Sequence, residues 1–268
     1  MKNQYFGDVN DYRKYGLLRC LAGSGDLSLG VCWMLTPNDH RPDGEKTEYL
    51  DDANRAKHQR FDPALYEFLR RKVHGHETED RSRDVHNFND EQLPSGHFWH
   101  ELIRDPVSER QRYFEAMWKS FESAKADLVF FDPDDGLANN NKTKSPFKKR
   151  HKDSSKKLFR DEVKGTLDKG LSVLLYQHFD RTNRSDLVTR LGAELARMSD
   201  SGCAYSFWTP HVVFLLAPLK KHRELINDAV QRVEASPWTK ENSAPTSRSN
   251  SKRQVLVTQH LRSSEATA

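Results

Sequence analysis

The chain of 268 residues is long enough for one large α/β domain. Hydrophobic residues make up 35% and charged residues 31%, and no run approaches the roughly 20 apolar residues of a membrane span. Cys20, Cys32 and Cys203 are odd in number and widely scattered. This usage argues against a disulfide frame or a cysteine zinc site and predicts a reduced, cytoplasmic setting. The net charge of +4 is small but unevenly placed.

Apolar periodicity predicts that helices and strands alternate along the chain. Tyr113, Met117 and Phe121, for example, are four residues apart, as on one face of a helix. In chain order, the predicted elements are a helix at Val9–Ala22 with Asn10 or Asp11 as its cap, a strand at 29–35, helices at 63–73 and 109–124, a strand at Leu128–Phe131, a helix at 154–169, a strand at 171–176, a helix at 185–198, strands at 204–208 and 212–216, and a helix at 220–235.

This alternation is typical of an α/β fold, with a mostly parallel sheet flanked by helices and an antiparallel strand pair near the C-terminus. Residues 1–235 are predicted to form a single catalytic domain, with surface excursions at 74–92 and 138–153. Residues 236–268 are polar and lack periodicity, so they are predicted to form a flexible tail. Within that tail, 255–257 has the composition of a strand, and its docking on the domain is left open.

Three carboxylates follow the apolar strand Leu128–Phe131, namely Asp132, Asp134 and Asp135. Pro133 and Gly136 end the strand, so these side chains lie at its carboxyl end, which is the edge where open α/β sheets bind ligands. A carboxylate there can act as a general base, hold Mg²⁺ or stabilise a cation. We predict all three as catalytic candidates, with Asp132 favoured; the alternative interpretation is an acidic turn that caps a helix.

The next predicted strand ends in Tyr176, Gln177 and His178 at the same edge of the sheet. Tyr176 and Gln177 suit stacking and hydrogen bonding to a base, and His178 suits proton transfer. Arg181 and Arg184 follow and are predicted to contact phosphate. The alternative is that His178 merely caps the following turn.

A basic segment runs from residue 142 to residue 160, with nine Lys or Arg residues against one acid. Like charges at this density repel each other unless an anion relieves them, and a nucleic-acid backbone does so. The predicted DNA contacts within it are Lys142, Lys144, Lys148, Lys149, Arg150 and Lys152. A solvated, lysine-rich surface loop is the alternative.

The N-terminal segment combines aromatic, polar and glycine residues. We predict that it lines the substrate pocket and contacts phosphate; the alternative is a helix cap with packed tyrosines. The predicted substrate-binding residues are Asp8, Asn10, Asp11 and Tyr12, and the predicted phosphate contacts are Arg13 and Lys14.

The loop after the first predicted strand, T-P-N-D-H-R-P-D-G, lacks the glycine-rich turn that nucleotide cofactors require. The chain contains neither G-x-G-x-x-G nor a phosphate-binding G-K-[ST] motif. An NAD-dependent enzyme or a P-loop ATPase is therefore not expected.

Four places in the chain resemble the family of class I, Rossmann-like methyltransferases that modify N6 of adenine in large-subunit ribosomal RNA. They are N-D-Y-R-K-Y at 10–15, D-G-E-K-T-E-Y-L at 43–50, D-P-D-D at 132–135 and the strand pair at 204–216. The resemblance implies a Rossmann-like fold and a pocket for a flipped-out base. Asp134 and Asp135 stand where that family has a second proline and an aromatic residue, so the methyl-transfer motif is incomplete.

A base pocket that has lost its methyl donor and gained carboxylates favours hydrolysis of an N-glycosidic bond, whose cationic transition state an anion stabilises. We therefore expect a DNA glycosylase that excises a modified base, such as those phages carry, in an antiviral role and with no cofactor or metal. Its partner would be DNA, with no membrane contact and with the oligomeric state left open. The alternatives are an S-adenosylmethionine-dependent adenine methyltransferase, a Mg²⁺-dependent nuclease and a non-catalytic nucleic-acid-binding protein.

Overall fold

The computed structural model describes residues 1–39, 44–75, 82–138, 147–179, 183–209, 211–239 and 256–261. Seven helices lie in these ranges: α1 Val9–Ala22, α2 Asp52–His58, α3 Pro63–His74, α4 Val107–Ser123, α5 Arg160–Asp168, α6 Arg184–Met198 and α7 Arg223–Ala235. The strands in the same ranges are β1 Leu29–Cys32, β2 Gly96–Trp99, β3 Leu128–Phe131, β4 Gly136–Leu137, β5 Lys157–Leu158, β6 Ser172–His178, β7 Cys203–Trp208, β8 Val212–Ala217 and β9 Leu256–Leu261.

Seven of the strands form one sheet in the order β2-β1-β3-β6-β8-β7-β9. β2, β1, β3 and β6 are parallel neighbours, whereas β8 runs antiparallel to both β6 and β7, and β9 runs antiparallel to β7. Five strands therefore point one way and two point the other. The predicted fold class is confirmed: this is a Rossmann-like α/β sheet flanked by helices, with antiparallel strands at its C-terminal side.

Both faces of the central strands are buried, as their continuous apolar runs predict. One face packs on a cluster that includes Tyr15, Trp33 and Phe130, and the other on a cluster that includes Phe121 and Phe131. Hydrophobic burial on two sides holds β3 in the interior of the molecule. None of the described helices is long and apolar enough to cross a membrane.

Several element boundaries differ from the predicted ones for local reasons. β1 ends at Cys32 rather than residue 35, and Met34 takes a left-handed φ of 46° just beyond it. The predicted helix at 154–169 is a short 3-10 turn, then β5, then α5. The cap of α1 is Asp8, not Asn10 or Asp11, because the Asp8 carboxylate accepts the backbone N–H bonds of both.

Part of the excursion predicted at 74–92 is not on the surface. Val85 and Phe88 are fully buried, and the Phe88 ring stacks on Tyr15 with 4.1 Å between centroids. Both residues have polar neighbours in the sequence, and a single apolar residue among polar ones forms no periodic pattern that would predict burial. Residues 76–81 of this excursion lie outside the described residues.

The C-terminal segment differs from the predicted flexible tail at two places. β9 extends the sheet edge, pairing residue by residue with β7 from Trp208↔Leu256 to Cys203↔Leu261. Trp238 is 2% exposed and packs between Tyr12 and Phe61, with centroid distances of 4.8 and 5.1 Å. Gly16 lies under the indole, where a Cβ would meet the ring at 2.2 Å. These two parts of the segment therefore belong to the domain.

We predict that Trp238→Ala lowers the free energy of unfolding by about 3–5 kcal/mol, because it empties a buried aromatic site. Chemical denaturation measures the change. Leu261→Ala, also in the C-terminal segment but 64% exposed, is the control and should cost less than about 0.5 kcal/mol. A Trp238 effect as small as that of the control would contradict this packing.

Candidate functional site

A cavity of about 480 Å³ opens at the carboxyl edge of the sheet, where β3 and β6 end and α1 begins. This is the edge at which open α/β sheets bind ligands. Its lining is rich in carboxylates and also includes four lysines and two tyrosines. The lining residues are Met1, Lys2, Tyr5, Asp8, Asn10, Asp11, Lys14, Gly44, Glu45, Lys46, Glu48, Asp132, Pro133, Asp134, Asp135, Lys156, Tyr176 and His178.

The turn after β3 is held in place by the neighbouring strand. Gly136 has a left-handed φ of 88°, and a Cβ there would meet the Gln177 side chain at 2.5 Å, so only glycine fits. The Gln177 Oε1 atom accepts the Leu137 N–H at 2.8 Å, while its amide donates to the His178 carbonyl at 2.7 Å. Both polar ends of Gln177 are thus bonded to backbone. Gln177 shapes the turn and does not line the cavity, contrary to its predicted role in binding substrate.

Lys14 lies at the floor of the cavity, buried between two carboxylates. Its Nζ atom is 2.7 Å from Asp11 Oδ1 and 2.6 Å from Asp132 Oδ2, and all three side chains are 3% exposed. Burial alone would lower the pKa of Lys14, but the adjacent Asp11 and Asp132 raise it above its ordinary value. Lys14 therefore stays charged and holds α1 to β3. The predicted phosphate contact is not compatible with this placement.

Asp11 has further partners that complete this buried network. The Tyr15 hydroxyl donates to Asp11 Oδ2 at 3.1 Å, and the Gly7 N–H donates to the same oxygen at 3.2 Å. Burial raises the pKa of Asp132, and the nearby Lys14 ammonium opposes that rise. Asp132 is 2% exposed and is the most enclosed of the three predicted catalytic aspartates.

Asp8 borders the cavity from the first turn of α1. Its Oδ1 atom accepts the N–H groups of Asn10 and Asp11 at 2.8 and 2.9 Å. Because Oδ1 is already used twice, a proton on this carboxyl resides on Oδ2. Burial, followed by repulsion from Asp11, raises the pKa of Asp8 to about 7. Asp8 thus changes protonation state near neutral pH, which suits proton transfer.

Asp134 and Asp135 differ from Asp8 and from each other. Asp134 Oδ1 lies 2.9 Å from the Met1 ammonium, and Thr36 Oγ1 donates to Oδ2 at 2.7 Å. Burial would raise the pKa of Asp134, but these two partners bring it below its ordinary value, so the carboxylate stays ionised. Asp135 is exposed and pairs with the Lys157 ammonium at 2.7 Å.

Tyr176 and His178 form the wall on the β6 side. The Tyr176 hydroxyl and His178 Nε2 are 3.0 Å apart, and the two rings meet edge to face at a centroid distance of 5.0 Å. Burial raises the pKa of Tyr176 well above its ordinary value, so the phenol stays protonated. The surrounding protein lowers the pKa of His178, chiefly by removing water from the ring, although the side chain reaches the solvent at the cavity mouth.

Two more predicted ligand contacts lie away from the cavity. Tyr12 is 1% exposed, stacks on Tyr49 and donates its hydroxyl to the His58 carbonyl at 2.8 Å, so it belongs to the core. Arg13 is 7% exposed and reaches Asn10 Oδ1 at 3.4 Å, so it is not a surface cation open to phosphate. Tyr12 and Arg13 are buried because α1 is enclosed along residues 11–18, and the weak apolar pattern of the helix does not reveal this.

The part of the basic segment that the structure describes lies beside the cavity. Asp135 N–H bonds to the Lys156 carbonyl at 2.9 Å, and β4 pairs with β5, so the acidic turn and the end of the segment are neighbours. Lys148, Arg150 and Lys152 are exposed, whereas Lys149 forms ion pairs with Asp161 and Glu162. Arg184 is exposed and covers the Phe179 ring at 5.0 Å. Lys142, Lys144 and Arg181 lie outside the described residues.

Several lining residues are not predicted from the sequence, notably Lys2, Tyr5, Glu45, Lys46, Glu48 and Lys156. Glu45, Lys46 and Glu48 lie in one of the segments that carry the family resemblance, so a signal was present. Periodicity could not show that this segment folds over the cavity, because a loop has no period. In the described part of the chain, no group of three His, Cys, Asp or Glu side chains is arranged to hold a metal ion.

Comparison with known proteins gave no match: no family model, no curated protein and no solved structure matches this chain.

We predict that Lys14→Met lowers the free energy of unfolding at pH 7 by about 3–5 kcal/mol, because it leaves two buried carboxylates without a cation. The loss should shrink as the pH falls to 5. A carboxyl whose pKa in the folded state lies above its unfolded value costs stability at high pH and regains it on protonation. Denaturation at both pH values measures the effect.

Lys46→Met is the matched control, since Lys46 lines the same cavity but is exposed. It should change stability by less than about 0.5 kcal/mol at either pH. A Lys14→Met protein as stable as this control at pH 7 would show that the Asp11–Lys14–Asp132 contacts contribute nothing to the fold.

Proposed function

We propose that this chain is a DNA glycosylase, which takes a flipped-out nucleotide into the cavity and hydrolyses its N-glycosidic bond. The observation that carries the proposal is that Asp8 and Asp134 line one cavity while their pKa values are shifted in opposite directions. Two carboxyls with separated pKa values can divide the roles of proton transfer and charge stabilisation. The volume of about 480 Å³ falls within the roughly 300–1,000 Å³ of small-molecule sites.

Asp8 is the general base in this proposal. A base works best when its pKa is near the working pH, and the Asp8 pKa of about 7 meets that condition. In its ionised form, Asp8 takes a proton from water through Oδ2, and the water oxygen bonds to C1′ of the sugar as the bond to the base breaks. The departing base leaves with the electron pair of that bond.

Asp134 stabilises the positive charge that develops on the sugar during bond breaking. Its lowered pKa keeps it anionic at any pH where Asp8 acts. Asp132 also faces an ammonium group, that of Lys14 at 2.6 Å, and it is the more enclosed of the two aspartates, so Asp134 is assigned this role. This assignment moves the main roles from Asp132, favoured by the sequence, to Asp8 and Asp134.

The contacts at the end of β1 favour hydrolysis over methyl transfer. The Met1 amine donates to the Met34 and Asp132 carbonyls at 3.2 and 2.9 Å, and Thr36 N–H donates to the Met1 carbonyl at 2.9 Å. Met1 thus fills the crevice between the ends of β1 and β3. A methyl donor would need that crevice and a glycine turn beside it. The nuclease alternative is less well supported, since Asp132 and Asp134 each already face an ammonium group.

The exposed cations beside the cavity supply the attraction for DNA. Lys148, Arg150 and Lys152 are exposed, and the basic segment that contains them reaches the cavity at Lys156. Phosphate contacts of this kind give affinity without reading sequence. The base itself would then be selected inside the cavity.

We predict that Asp8→Asn slows base release from phage DNA with modified bases at least about 100-fold at pH 7.5, since it removes the proton acceptor. Asparagine keeps the helix cap, so the fold is preserved. The wild-type rate should rise with pH and level off above a midpoint near 7, as Asp8 loses its proton. The rate is measured by chromatography and mass spectrometry of the free base.

Asp62→Asn is the matched control, because Asp62 also caps a helix, where it accepts the Leu65 N–H at 3.0 Å, and is not among the residues that line the cavity. It should keep the wild-type rate within about 2-fold. An Asp8→Asn enzyme with the wild-type rate and pH profile would refute the role of Asp8.

We predict that Lys148→Glu/Lys152→Glu weakens DNA binding about 10-fold or more at low salt and flattens the dependence of log Kd on log salt by about two ion equivalents. Fluorescence anisotropy with a labelled duplex measures both. Lys119→Glu/Lys125→Glu carries the same charge change on and just after α4 and should have little effect. An equal loss of DNA affinity in the two double variants would show that the cations beside the cavity contribute no more to DNA binding than those on and after α4.

A further inference from the structure

Two half-buried aromatic side chains lie together at the carboxyl edge of the sheet, beyond the cavity. Phe179 directly follows His178 at the end of β6, and Trp208 is the last residue of β7. Their ring centroids are 6.2 Å apart, with planes tilted by 54°. The Arg184 guanidinium lies 5.0 Å from the centre of the Phe179 ring and is exposed. Two rings and a planar cation therefore border the solvent at one place.

Hydrogen bonds hold the indole of Trp208 in a fixed position. Its Nε1 atom donates to Ser206 Oγ at 2.9 Å, and Ser206 Oγ in turn lies 2.9 Å from His260 Nε2 on β9. One edge of the indole is anchored to the sheet, and Trp208 is half-buried. An anchored ring loses little conformational entropy when a ligand stacks on it.

We propose that Phe179, Trp208 and Arg184 form a stacking surface for an unpaired base of single-stranded DNA, next to the nucleotide held in the cavity. The inference rests on the proposed function, because it extends the same DNA along the sheet edge. Aromatic rings and arginine planes bind unpaired bases through their faces, whatever the base. Bases of an intact duplex have both faces covered by their neighbours and cannot bind in this way.

The position of the surface follows from the strand order. β6 and β7 run in the same direction on either side of β8, so both end at the edge where the cavity opens. His178 lines the cavity, whereas Phe179 and Trp208 pack on the opposite face of the sheet from Tyr176, so the cavity and the stacking surface meet across the sheet edge. The exposed cations Lys148, Arg150 and Lys152 belong to the basic segment that reaches the cavity at Lys156. A strand whose phosphates contact those cations can place one nucleotide in the cavity and an adjacent base on Phe179 and Trp208.

The test measures binding of a fluorescein-labelled 20-nucleotide oligo(dT) by anisotropy, with no base release required. Phe179→Leu and Trp208→Leu keep an apolar side chain but lose the ring, and each should weaken binding about 10-fold. Trp118→Leu is the control, since that half-buried indole also donates to a hydroxyl, Thr166 Oγ1 at 2.9 Å, but comes from α4. It should change Kd less than 2-fold. Leu variants that bind like wild type would overturn the proposal.

A second measurement covers the case in which a leucine variant does not fold. Stacking on a base quenches tryptophan fluorescence, so oligo(dT) should quench the wild type and the Trp118→Phe protein but not Trp208→Phe. Quenching that persists in Trp208→Phe would contradict the proposal. Oligo(dT) contains no modified base, so its binding is measured without base release. Stacking without base release from any DNA would therefore refute the glycosylase activity alone, whereas base release with unchanged binding in the leucine variants would refute this surface alone.

Discussion

The ion pairs of Lys14 with Asp11 and Asp132 are the constraint on which the candidate site depends. They join the first helix to the central strand at 2.7 and 2.6 Å, with all three groups removed from water. Removal of one partner from a buried cation flanked by two carboxylates lowers the free energy of unfolding strongly, because the remaining charge is left uncompensated. This contact therefore fixes where α1 begins relative to β3, and with it where Asp8 and Asn10 border the cavity.

The separation of carboxyl roles in the cavity follows from that arrangement. Asp11 is kept close to Asp8 by the turn of α1, and its negative charge helps to raise the pKa of Asp8 to about 7. Asp134, in contrast, faces an ammonium and a hydroxyl and stays ionised. Asp8 and Asp134 are the same residue type, so the difference between their pKa values comes from the groups that surround each carboxyl. Contrasting environments of this kind are how one site can combine a base with a stabilising anion.

The strands and helices with strong local signals could be predicted from sequence, whereas contacts between distant segments could not. The structure confirms Val9–Ala22 and Leu128–Phe131 at both ends, although the cap of the helix is Asp8 and not Asn10 or Asp11. It also brings the acidic turn, the basic segment and the N-terminal segment to one edge. Lys14 and Asp132 are 118 residues apart in the sequence, so no local spacing pattern predicts that they pair. Contacts with distant segments also hold Tyr12 in the core and Gln177 against the turn after β3. Spacing does not show these contacts, so the sequence predicts ligand binding for both residues instead.

The most direct test of the account is to identify what the protein releases from DNA. Unmodified DNA and phage DNA with modified bases are incubated with the full chain, with and without S-adenosylmethionine, and the small molecules and the DNA are analysed by mass spectrometry. The account predicts free base together with DNA that carries abasic sites, at a rate that does not depend on S-adenosylmethionine. Methylated DNA, or strands cut to nucleotides without prior abasic sites, would contradict it.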